Sequence, residues 1–114
     1  MKPSIEIIVG DVNDVEARVY ARLLGGEAER TVLHGTLRGP YCEGSRTLPV
    51  EIAFHDLGPE QPGLAAALVP DPCTWSPELP HLYQADVEAR QSGRVVAEYH
   101  GKIGLRRATP SQLS

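Results

Sequence analysis

Apolar and polar residues alternate with a period of two along most of this 114-residue chain. That period sends successive side chains to opposite faces of an extended strand. From Val15, the positions Val15, Ala17, Val19, Ala21 and Leu23 form an apolar face, with Glu16, Arg18, Tyr20 and Arg22 turned the other way. The rule returns at Leu48, where Leu48, Val50, Ile52 and Phe54 make the inner face and Glu51 and His55 the outer one. Pro49, which has no N–H to give to a ladder, places the start of that strand at an edge. Further on, Tyr83, Ala85, Val87 and Ala89 alternate with Gln84, Asp86, Glu88 and Arg90. After Gln91-Ser92-Gly93 the pattern resumes with Val95, Ala97, Tyr99, Gly101, Ile103 and Leu105 inward, and Glu98, His100, Lys102 and Arg106 outward. These two segments predict a β-hairpin.

Weaker strands are expected over residues 5–9, over 31–38 with Leu33, Gly35 and Leu37 inward, and over 64–69. The run Leu64-Ala65-Ala66-Ala67-Leu68 also suits a helical turn, because alanine favours helix. Gly63 and Pro70 leave too little length for a stable helix, so a strand is the preferred reading there. Turn residues fall between the periodic segments, at Gly25-Gly26, Gly39-Pro40, Gly44-Ser45 and Gly58-Pro59. The expected fold is all-β, an immunoglobulin-like β-sandwich of about seven antiparallel strands. It occupies residues 1–107 as one domain, with residues 108–114 as a frayed polar tail. The inter-sheet cysteine bridge of an antibody domain has no counterpart, since strand positions such as Val19 and Ala85 hold small apolar residues.

Composition narrows the class. Hydrophobic residues make up 41% and charged residues 23%, an ordinary globular mixture. The longest apolar run, 63–70, is far short of the roughly 20 residues that span a bilayer. Glu6 interrupts the only apolar stretch near the N-terminus, which lacks the form of a secretory signal. With a net charge of −4 and scattered Lys and Arg, the chain offers no footprint for nucleic acid. Cys42 and Cys73 form no CxxC motif. Two free thiols in a reducing, cytoplasmic setting are preferred over a Cys42–Cys73 disulfide, which needs Cα atoms within about 7 Å.

Candidate chemistry is sparse. His34, His55, His81 and His100 share no HxH or HxxxH spacing and read as surface histidines, so no metal site is expected. Ser45, Ser76 and Ser92 lie in turns without a nucleophile elbow, and no glycine-rich phosphate loop is present. Neither a catalytic residue nor a cofactor is expected.

One segment stands apart. Residues 70–83 hold four prolines, Pro70, Pro72, Pro77 and Pro80, and the single tryptophan, Trp75. Each proline fixes φ and biases its predecessor to extended geometry, so the segment should be a stiff crossover. Trp75 would cover one end of the core, with Leu82 or Tyr83 anchoring the following strand.

The run Trp75-Ser76-Pro77-Glu78-Leu79-Pro80-His81-Leu82-Tyr83, the Ser92-Gly93 turn and the closing Gly104-Leu105-Arg106 resemble the immunoglobulin-like sandwich domain of family 2 glycoside hydrolases. That group includes β-galactosidases, β-glucuronidases and β-mannosidases. Its pattern is Trp-Ser-Pro-Glu-x-Pro-x-Leu-Tyr, a hairpin, then Gly-Phe-Arg; here Leu105 replaces the phenylalanine. The likeness covers Pro70 to Arg106. In the family, a catalytic barrel holding both catalytic glutamates follows this point, whereas eight residues follow Arg106 here. The resemblance therefore implies a non-catalytic structural or protein-interaction module with the barrel absent, and it transfers no catalytic residue. A retaining glycosidase needs two carboxylates about 5.5 Å apart in a cleft. Glu78, between prolines, reads instead as a solvent-facing turn residue.

The candidate interaction or motif residues are thus Trp75, Pro77, Pro80, Leu82, Tyr83 and Arg106. Tyr83 reads as a tyrosine corner, its hydroxyl bonded to upstream backbone, in preference to a stacking surface for a ligand. Trp75 reads as core cover, with stacking on a sugar ring or a partner as the other reading. A protein partner or a homodimer through an edge strand is expected. The alternative is a small carbohydrate-binding domain using Trp75, Tyr41 and Tyr20, against which the aromatic share of 5% weighs.

Overall fold

The apolar faces of the alternating segments meet in one core in a computed structural model of the chain, which describes residues 3–13, 15–41, 48–58, 60–73, 75–78 and 80–105. Among these residues seven strands form: β1 (Ser4–Val12), β2 (Glu16–Leu24), β3 (Thr31–Tyr41), β4 (Val50–Asp56), β5 (Leu64–Pro70), β6 (Leu82–Gln91) and β7 (Arg94–Ile103). A short 3-10 turn, Ala28–Arg30, precedes β3. All neighbours are antiparallel, in the order β1-β2-β5-β4-β3-β6-β7. The sheet folds over so that β1 approaches β7, giving the nearly closed, two-layered immunoglobulin-like sandwich.

The alanine-rich β5 is a strand because of what it faces. Its Ala65, Ala67 and Val69 stand opposite Ala21, Val19 and Ala17 of β2, and all six are buried. Small side chains in facing rows keep the interior shallow there, and this tertiary fit overrides alanine's preference for helix. Larger residues fill the other layer: Leu33 and Leu37 of β3, Phe54 of β4, and Tyr83 and Val87 of β6. Gly35 is required by close backbone approach, since a Cβ there would lie 2.6 Å from Val87 Cα.

β4 carries the chain from one layer to the other. It pairs with β3 from Val50 to Phe54, then with β5 at His55 and Asp56. Where it leaves β3, the Asp56 carboxylate takes over, accepting the N–H of Leu33 at 3.0 Å and that of Gly58 at 2.8 Å. β4 is thus an interior strand. Pro49 is tolerated because it precedes the first paired residue, not because the strand lies at an edge.

Three other expectations fail at strand ends, each for a local reason. Val15 is 72% exposed because it belongs to a turn in which Asn13 Oδ1 accepts the N–H groups of Val15 and Glu16. Leu48 is 91% and Val50 47% exposed because the start of β4 overhangs the core. Val95 is also exposed: Ala89 pairs with Ala97 but Arg90 with Val95, so a bulge makes Val96 the extra residue and turns it toward the core. The β6–β7 turn itself forms as expected, with Ser92 and Gly93 both at positive φ, 54° and 79°. Cys42, Ser45, Arg106 and the tail 108–114 lie outside the described residues, and so does the Cys42–Cys73 pairing.

The core assignment predicts that Leu37→Ala lowers unfolding free energy by about 2–5 kcal/mol. Leu48→Ala should change it by no more than about 0.5 kcal/mol. Urea denaturation of the two variants is the measurement; equal losses would contradict the placement of Leu48.

Candidate functional site at the Trp75–Tyr83 crossover

The first half of the crossover from β5 to β6 is tied down by two backbone hydrogen bonds. Asp71, held at φ 45° between two prolines, donates its N–H to the Val15 carbonyl at 2.9 Å. Trp75 donates its N–H to the Leu105 carbonyl at 2.8 Å, joining the crossover to the segment after β7. Trp75 and Pro80 face each other in an isolated antiparallel bridge, which leaves Pro77 and Glu78 exposed at the tip of a small loop.

Tyr83 lies beneath this loop with only 1% of its surface exposed. Its ring rests on the backbone of β3, where a Cβ at Gly39 would come within 2.7 Å of Cδ2. The hydroxyl accepts the Cys73 N–H at 3.1 Å. This is the backbone-bonded tyrosine expected of a tyrosine corner. Burial pushes the phenol's pKa up, against the opposing pull of the Cys73 N–H. Tyr83 is therefore a neutral structural anchor rather than a stacking surface.

Trp75 is half-buried, and its indole covers the backbone of Gly104, where a Cβ would stand 2.9 Å from Cδ1. Leu105 beside it is fully buried and fills the position of the expected aromatic. Leu82 is half-buried and pairs with Tyr41 across a bulge in β3. Of the motif residues, Trp75 and Pro80 meet in the bridge, Pro77 is exposed in the loop between them, and Leu82 and Tyr83, consecutive in β6, point to opposite faces.

His81 corrects the reading of surface histidines. It is 9% exposed, and Nδ1 has no hydrogen-bond partner among the described residues. It shares the parity of Tyr83 and Ala85, which turns it inward.

Beside the crossover opens a largely apolar notch of about 520 Å³, lined by Pro40, Leu48, Val50, Ile52, Pro70 and Tyr83 together with Glu51, Asp71 and Cys73. Glu51 of this lining pairs with Arg38 at 2.8 Å, and Tyr41, next to the lining residue Pro40 in β3, is 40% exposed. The hydrogen bond to Glu51 is the main cause that raises the Arg38 pKa. Sequence reasoning missed this notch by assigning Leu48 and Val50 to the core. The proline between them was the available sign that the ladder had not yet begun. Nor do the three candidate stacking rings form one platform. Tyr20 sits on the outward face of the β1-β2-β5 layer against Gly10, while Tyr41 and Trp75 lie at the crossover end.

The outward face of β3, β6 and β7 is polar. His100 Nδ1 lies 2.8 Å from Asp86 Oδ1, which also accepts a hydrogen bond from Gln84 Nε2 at 3.2 Å. Hydrogen bonding to Asp86 raises the His100 pKa, and the same bond lowers that of Asp86. His34 and Glu88 share a shallow groove of about 210 Å³ with this pair. No group of three or more ligating side chains that could hold a metal ion occurs among the described residues.

The family model of glycosyl hydrolases family 2 matches residues 9–106. The chain belongs to that family. Its fold is similar to that of a β-glucuronidase from Ruminococcus gnavus, with 21% identity and a TM-score of 0.56 over 90% of this chain and 15% of the other. The same enzyme in complex with D-glucuronic acid gives a TM-score of 0.56 at 21% identity, over 90% of this chain and 16% of the other. A putative β-galactosidase from Bacteroides fragilis is similar at 21% identity and a TM-score of 0.50, over 88% of this chain and 16% of the other. The chain thus spans a small part of each solved structure. No curated protein matches it.

Two outcomes are expected from this geometry. Tyr83→Phe leaves the Cys73 N–H without its acceptor and should cost about 1–2 kcal/mol of stability by thermal or urea unfolding. A loss indistinguishable from zero would remove the hydroxyl from its anchoring role. The second outcome concerns pH. The raised His100 contributes stability below the usual imidazole pKa, lost as pH rises through its own raised value. The lowered Asp86 contributes above the usual carboxylate pKa, lost as pH falls through its own lowered value. The pair is therefore fully formed between about pH 4 and 6.5. Asp86→Asn should lower the His100 titration midpoint followed by NMR, and an unchanged midpoint would refute the coupling.

Proposed function

We propose that this domain is a non-catalytic structural and protein-interaction module of a family 2 glycoside hydrolase. The observation that carries this reading is the apolar notch at the crossover end, with Leu48 and Val50 exposed beside it. Exposed apolar groups gathered around a concavity suit contact with another protein surface. The hydrogen bonds of Asp71, Cys73 and Trp75 fix the crossover beside that surface. The match to a small part of much longer family 2 structures supports the same reading.

The electrostatics also favour it. A glycosidase's general acid needs a raised pKa in a cleft. Asp86 moves the opposite way on an open sheet face, and Glu78 stands exposed at a loop tip. The purified chain should hydrolyse p-nitrophenyl β-glucuronide and β-galactoside no faster than buffer does. Turnover abolished by Glu78→Gln or Asp86→Asn would overturn the non-catalytic reading.

The carbohydrate-binding alternative rests on Tyr41, the ring exposed beside the notch. A glycan array reports on it: specific binding lost in Tyr41→Ala, with the circular dichroism spectrum unchanged, would replace the first reading with this one. Self-association through an edge strand would use β1 or β7, each of which has a single ladder neighbour. Light scattering over a concentration series should show a dimer if either edge pairs.

A further inference from the structure

We draw no further inference here: the strongest candidate, the apolar notch between the end of β3, the start of β4 and the end of β5, belongs to the site already described, and nothing in the structure shows which surface covers it.

Discussion

The buried phenol of Tyr83 holds together parts of the chain that are distant in sequence. Its ring packs on Gly39 of β3, its own strand pairs with both β3 and β7, and its hydroxyl receives the N–H of Cys73 in the crossover. An aromatic ring of this size buries a large apolar area, and its one polar atom needs a partner once it leaves water. The Cys73 N–H supplies that partner and at the same time satisfies a backbone group of the crossover. The prolines around it limit the freedom the segment must lose on folding. A second tie, from Trp75 to Leu105, secures the loop that covers the same end of the core.

This arrangement gives the two ends of the sandwich different characters. At the crossover end the walls of the notch are set by fixed backbone, and the apolar residues Leu48 and Val50 stand outside the core. At the junction where β4 changes layers, Asp56 replaces a ladder partner with a carboxylate, so the backbone turns without leaving the Leu33 N–H unpaired. The neighbouring rows of small residues in β2 and β5 then let the opposite layer pack closely onto these two strands. Family 2 membership and the similar solved structures agree with this layout as a fold. The role proposed for the domain rests on the end face.

Much of the architecture was legible because period-two alternation survives wherever a strand lies over the core. Ala17, Val19, Ala21 and Leu23 of β2, and Tyr83, Ala85, Val87 and Ala89 of β6, are all buried as their parity demands. The Trp75–Tyr83 motif was legible because its proline density and its resemblance to family 2 pointed to the same segment. Parity could not reveal where the core stops. Val15, Leu48 and Val50 carry the right hydrophobicity but sit past the last facing residue, and Val95 is displaced by a bulge. His81 escaped for a related reason: spacing among histidines says nothing about which one turns inward.

The sequence by itself determined the strand count, the inward faces of the central strands, the hairpin turn and the family, because these follow from local periodicity, turn chemistry and a contiguous motif. Only the tertiary structure decided that β5 pairs with β2, that β4 bridges the two layers, and that Leu48 and Val50 line an open notch. Those outcomes depend on which surfaces meet across the fold, and local sequence carries no record of what stands opposite a residue.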